Sequence, residues 1–189
     1  MESIDQALAD AEALTAWLRR AEREARAITN LVAPLVACLR GGHRVLTCGN
    51  GGSMCDAMHF AEECSGRFRD DRRPLAAMAL SDPAHLTCVA NDYGFDRVFA
   101  RGVQAWGSPG DVLLLFSTSG NSRNLIAAAE AARATGLGVV GLLGRDGGAL
   151  RAVCDPCLVV PGTTSDRIQE AHIKIAHLLI AEIERDLFC

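Results

Sequence analysis

Two glycine- and hydroxyl-rich stretches and two helical sets of ionisable residues hold most of the chemistry this chain can do. The first stretch is Cys48-Gly49-Asn50-Gly51-Gly52-Ser53, which joins an apolar run directly to a helical pattern. Glycines let the backbone come close to an anion, and a helix start offers free N–H groups and a favourable dipole. A tight turn that simply needs glycine explains this stretch equally well. The second is Ser117-Thr118-Ser119-Gly120-Asn121-Ser122, where four hydroxyls fall within six residues just after an apolar run. Capping a helix takes one hydroxyl, so four point further, to an anion cradle built without lysine or arginine. No Gly-Lys-Ser/Thr follows either stretch and neither has G-x-G-x-x-G spacing, which excludes a nucleotide P-loop and a dinucleotide fingerprint.

His59 and Glu63 stand four apart and share one helix face, a spacing that presents an imidazole and a carboxylate to a metal or substrate. Taken alone, a surface i,i+4 pair is the simpler reading. Near the C-terminus come Asp166, Gln169, His172 and His177. At about 100° per residue, Gln169 and His177 lie roughly 80° apart with Asp166 between them, while His172 points to the other side of Gln169. A histidine among Ile173, Ile175, Ala176, Leu178 and Leu179 is, by itself, more simply a core residue.

These residues need elements to hold them. Apolar residues at helical spacing mark one or two helices over 4–40, with a kink or break expected at Pro34 and a stop at Gly41-Gly42. Strand patterns at 44–48, 75–80, 111–116, 138–143 and 158–160 then alternate with helical ones at 53–68, 83–105 (broken near 92–94), 121–135, 148–153 and 166–187. Alternation of this kind implies parallel strands joined by crossovers. The expected fold is α/β: a doubly wound, five-stranded parallel sheet, flavodoxin-like, with N-terminal helices. One domain spans 1–189, a helical segment 1–40 followed by an α/β core 41–189. Ligands in such sheets sit at the carboxyl ends of strands near the switch point, so the loops after the first and third strands should carry the site.

Composition narrows the class. The 189 residues are 49% hydrophobic and 22% charged, a globular balance with room for one core. A net charge of −4 argues against nucleic acid as a partner. The acidic opening Met1-Glu2-Ser3-Ile4-Asp5 lacks the pattern of a secretory signal, and no apolar run is long enough for a bilayer, so a cytoplasmic protein without a membrane partner is expected. Most of the eight cysteines (38, 48, 55, 64, 88 and 154) sit in apolar or helical stretches and read as small hydrophobes in a reducing compartment. Cys154-x-x-Cys157 has no second pair to complete a zinc site, and Cys189 reads as an incidental exposed thiol.

Together CGNGGS, DAMHFAEE, ANDYGF, FSTSGNS and DRIQEAHIKIAH resemble the bacterial phosphoheptose isomerases of the sugar-isomerase (SIS) fold, over nearly the whole chain. The resemblance implies conversion of sedoheptulose 7-phosphate to D-glycero-D-manno-heptose 7-phosphate, the first step toward ADP-heptose for lipopolysaccharide core or other glycans. It also implies a homotetramer with active sites at subunit interfaces. Carried over residue by residue, Ser117, Thr118, Ser119 and Ser122 would hold the phosphate, and Asn50, Gly51, Gly52 and Ser53 would line the first loop. Asn91, Asp92 and Asp166 would contact sugar hydroxyls. Glu63 would be the base, with His177 as its partner acid. Zinc, where the family binds it, would take His59, Glu63, Gln169 and His177. A rival implication comes from similar SIS proteins that bind the bacterial replication initiator without catalysis. Those resemble the isomerases poorly at the base and acid positions, which this chain retains as Glu63 and His177.

Overall fold

The computed structural model describes residues 3–189; Met1 and Glu2, which open the acidic start, lie outside them. Helices α1 (Ile4–Ala25) and α2 (Thr29–Arg40) precede strand β1 (Val45–Gly49), helix α3 (Gly52–Ser65) and strand β2 (Ala77–Ala79). Helices α4 (Pro83–Tyr93) and α5 (Val98–Trp106) follow, separated by a 3-10 turn at Phe95–Arg97. Then come β3 (Val112–Ser117), α6 (Arg123–Thr135), β4 (Gly138–Gly144), a 3-10 turn at Ala149–Ala152, β5 (Cys157–Val160) and α7 (Ser165–Phe188). The five strands are parallel in the order β2-β1-β3-β4-β5, so the direction of winding reverses between β1 and β3.

Every residue of β1 and β3 is buried, as expected of central strands covered on both faces. The pleat divides their side chains between two cores. Val45, Val112, Leu114, Phe116, Val140 and Leu142 pack with α2, α3 and α7. Leu46, Leu113, Leu115, Val139 and Leu143 pack with α4, α5 and α6 on the other face. The glycine and hydroxyl loops leave the sheet at its carboxyl edge, where β1 and β3 end side by side.

Three expectations need correction. The break in the N-terminal helices falls at 26–28, not at Pro34. Arg26 turns left-handed (φ 50°), and the Glu22 carboxylate accepts the N–H groups of Ile28 (2.7 Å) and Thr29 (3.3 Å), capping α2 from the preceding helix. Pro34 stays inside α2, where burial of Leu31, Val32, Leu35 and Val36 outweighs the one backbone bond it cannot make. Asp111 stands outside the apolar strand and ties the sheet's opposite end together, accepting from the N–H groups of Arg44 and Ser108, both at 2.9 Å. Among the cysteines, Cys38, Cys48, Cys64 and Cys154 are buried, but Cys55 and Cys88 are exposed, on the outer sides of α3 and α4; all eight are free thiols.

Candidate active site

A cleft at the switch point is lined by Asn50, Ser53, Ser117, Thr118, Ser119 and Ser122, over Phe116 and Leu125. β1 and β3 end side by side, with Gly49 opposite Phe116, so their two loops open into the same space. The hydroxyls are not absorbed by capping. Ser122 stands at the N-cap of α6 yet makes no side-chain cap bond, and the head of α3 has none either. The Ser117 hydroxyl shapes the loop instead, accepting from the Gly120 N–H at 3.0 Å. Gly120 adopts φ +64°, and a Cβ there would lie 1.9 Å from the Gly147 carbonyl oxygen, so only glycine lets the loop close against the turn after β4. The Ser119 hydroxyl likewise accepts, from the Asn121 N–H at 3.2 Å, so the Ser117 and Ser119 hydroxyls keep their O–H donors for a ligand. Two helix N-termini and these hydroxyls thus face one concavity without a lysine or arginine lining it, an arrangement suited to a phosphate dianion.

The loops are joined by a pair sequence reasoning missed. The Asn50 and Asn124 side chains exchange two amide hydrogen bonds, at 2.9 and 2.8 Å, with Asn124 buried. The available signal was a lone amide in the first turn of an otherwise Ala-rich helix.

The second group lies on the facing sides of α3 and α7. His59 Nε2 is 3.1 Å from Glu63 Oε1, His177 Nε2 is 3.7 Å from the same oxygen, and the two Nε2 atoms are 3.2 Å apart. Glu63 is only 13% exposed, whereas the histidines are 43% and 42% exposed, so the cluster opens outward on its imidazole side. Glu63 Oε2 is buried with no hydrogen-bond partner. The Phe68 ring stacks on His177 at 5.9 Å and 25°, a contact from a highly charged loop that carried no sequence signal.

These facts overturn two of the simpler readings. His59 and Glu63 are not an isolated surface pair, because His177 completes a triad. Nor is His177 a core histidine: His172 is. His172 is fully buried against Phe116, with Nε2 3.2 Å from the Leu143 carbonyl and Nδ1 unpartnered. Burial depresses its pKa to about 4, and the Leu143 contact offsets this only in part.

The His59, Glu63 and His177 donor atoms all lie within 4.8 Å of one another, and nitrogen and oxygen donors in this number suit zinc. Two imidazole nitrogens turned toward each other and toward a carboxylate, beside an orphaned oxygen, fit a shared cation. Gln169, the fourth expected ligand, rests against Gly52 at the head of α3, where a Cβ would come within 2.6 Å of its amide oxygen. Asn91 and Asp92 are exposed at the end of α4 and bond to each other at 2.7 Å. Asp166 is exposed beside Arg167, 3.3 Å away. Bonding from Thr164 leads the effects that hold its pKa low. Among the described residues, none of these last three hydrogen-bonds to either group. Asp56, on the same α3 face as His59, was also missed. It is buried with one unpartnered oxygen, and burial raises its pKa to about 6 against the lowering influence of His59.

Comparison with known proteins gives the family. The SIS domain family model covers residues 11–144. A phosphoheptose isomerase of Fusobacterium nucleatum is 55% identical over 168 residues, 88% of this chain and 87% of that protein. One from Tolumonas auensis is 51% identical over 188 residues, 98% of this chain and 97% of that protein. Among solved structures, a phosphoheptose isomerase from Francisella tularensis superposes with a TM-score of 0.88 at 37% identity, covering 98% of this chain and 100% of the other. That of Neisseria gonorrhoeae gives 0.85 at 39% identity, over 96% and 98%. Alike in fold and in sequence over nearly its whole length, the chain belongs to the phosphoheptose isomerases of the SIS-domain family.

Proposed function

We propose that this protein isomerises sedoheptulose 7-phosphate to D-glycero-D-manno-heptose 7-phosphate through an enediol, as a cytoplasmic homotetramer whose product feeds ADP-heptose and lipopolysaccharide core synthesis. The observation that carries the reading is the Glu63 carboxylate, largely buried, with one oxygen unpartnered and the other facing two imidazoles. Ketose-to-aldose conversion moves a proton from C1 to C2 and needs one base that can take it and give it back. Glu63 removes the C1 proton and returns it at C2, and His177 is the partner acid that manages the proton on oxygen. Ser117, Thr118, Ser119 and Ser122 bind the phosphate together with Asn50, Gly51, Gly52 and Ser53. Asn91, Asp92, Asp166 and Gln169 orient the sugar hydroxyls, and the exposure of Asn91, Asp92 and Asp166 in the single chain fits a site completed at a subunit interface.

His59, Glu63 and His177 are the residues that would hold zinc, while Gln169, the fourth expected ligand, stands apart from them at the head of α3. When bound, zinc supplies a fixed positive charge for the oxygens of the enediol. The test is incubation with sedoheptulose 7-phosphate in D₂O, followed by NMR, with and without a chelator. An aldose heptose 7-phosphate with deuterium at C2 is expected. Absence of conversion with or without added zinc, with sugar-phosphate binding retained, would overturn the reading.

A further inference from the structure

Glu63 occupies an awkward position. It lies in the last turn of α3, two residues before the helix ends at Ser65. The final carbonyls of a helix lack intrahelical partners, and terminal turns fray. The usual remedy, a glycine in left-handed conformation just past the end, is missing: Gly66 has φ −90° and ψ −110°. A general base or ligand that must hold its place to a fraction of an ångström therefore stands on a part of the helix that needs outside support.

That support comes from Arg72, which plays no part in the chemistry above. Its guanidinium donates from Nη2 to the Glu63 carbonyl at 2.7 Å, and from Nη1 to the carbonyls of Cys64 at 2.8 Å and Gly66 at 3.2 Å. Its Nε donates to Glu184 Oε1 at 2.8 Å. The arginine side chain is 6% exposed and the glutamate 16%, so the pair is largely out of water. Glu184 lies two turns beyond His177 on α7. One buried guanidinium thus covers the carbonyl end of the helix bearing His59 and Glu63 and pairs with a carboxylate on the helix bearing His177. A cation also complements the negative pole of α3 at that end.

We propose that Arg72, through its pair with Glu184, is a positioning residue: it fixes the last turn of α3 and the spacing of α3 and α7, and so the geometry of Glu63 against the two histidines. The inference rests on the role given to Glu63 above. Lysine cannot replace Arg72, because one ammonium on a flexible stem cannot reach three carbonyls and a carboxylate together.

The test uses Arg72→Lys, Glu184→Gln and the double variant Arg72→Met/Glu184→Leu in the full protein. Replacing both members of a buried pair by apolar groups is often neutral for folding, so the double variant separates support of the fold from placement of Glu63. Thermal melting of each variant identifies those that are folded. In folded variants kcat is expected to fall on the order of 10-fold or more, with KM for the sugar phosphate within about 3-fold, because the phosphate cradle is untouched. Zinc titration, followed through the imidazole signals of His59 and His177, is expected to weaken by on the order of 10-fold. Wild-type kcat together with wild-type zinc affinity in folded Arg72→Lys would overturn the proposal. If wild-type protein turns over no heptulose phosphate, the functional reading fails. The zinc titration then still decides whether Arg72 holds the triad in place.

Discussion

At the scale of single residues, the division of labour between Glu63 and the serine loop predicts two distinct failures. Glu63→Gln keeps the shape but removes the base, so turnover should fall about 10²–10⁴-fold while sugar-phosphate affinity stays within a few-fold. Ser119→Ala removes one neutral donor to the phosphate. It should weaken binding by roughly 3- to 10-fold and leave kcat at saturation nearly unchanged. Steady-state kinetics with calorimetric binding separates the two, and full activity in both variants would sink the site assignment. His172 makes a prediction of a different kind. Its native pKa of about 4 lies below the ordinary 6.5, so below pH 6.5 the unfolded chain takes up a proton that the folded chain refuses. Stability from this group is fully present above pH 6.5, is lost as pH falls, and levels off near pH 4, at a total cost of roughly 3 kcal/mol. Asp56, with its raised pKa, contributes in the opposite direction over part of the same range. Comparing wild type with His172→Gln cancels that contribution, since Asp56 is present in both. The stability difference from urea unfolding should shift by about 3 kcal/mol in the variant's favour between pH 7 and pH 4. No shift would mean that His172 is not held neutral by burial.

At the scale of elements, the sheet was legible because buried parallel strands are written as continuous apolar runs, and Leu113-Leu114-Leu115-Phe116 admits no other placement. The carboxyl-edge rule then placed both loops correctly, since topology alone decides where β1 and β3 end. The faces of α7 were harder to read. Helical spacing separates His172 from His177, but which side meets the sheet depends on what α3 presents across from it, and a single helix's pattern does not contain that. The α1–α2 break was missed for a similar reason: Glu22 caps a helix in which it does not lie. The Asn50–Asn124 pair is likewise a meeting of two elements. Asn124→Ala would leave Asn50 without its reciprocal bonds and free the head of α6 from the first loop. Loss of such a pair costs about 1–3 kcal/mol. The expected outcome is a lower melting temperature and roughly 10-fold weaker sugar-phosphate binding, read by thermal shift with and without ligand. An unchanged ligand-induced shift would show that the cradle does not depend on the pair.

At the scale of the whole molecule, the surroundings of the triad are unfinished in one chain. Met58 and Leu178 are exposed; in sequence Met58 precedes His59 on α3 and Leu178 follows His177 on α7. A lone exposed apolar side chain needs no explanation, but two on the helices that bear both imidazoles of a proposed catalytic group are candidates for an apolar rim beside it. Asn91 and Asp92, which the family resemblance assigns to the sugar, are exposed and bond to each other, with no hydrogen bond to the cradle or the triad among the described residues. A partner subunit packed over this rim would cover the apolar residues, exclude water from the enediol and bring sugar-binding groups across. In a symmetric tetramer a single substitution is repeated in every subunit, so a charge placed on the rim acts on each copy of the interface at once. Leu178→Glu would bury an unpaired carboxylate there, at a cost of several kcal/mol per subunit. Light scattering should therefore find wild-type tetramers and smaller species for Leu178→Glu, with turnover lost in proportion. Dilution of the wild type should lower specific activity in the same way once subunits separate. If Leu178→Glu remains tetrameric with full turnover, the rim does not meet a partner. The substrate's remaining contacts would then have to come from movement of α4 within the same chain.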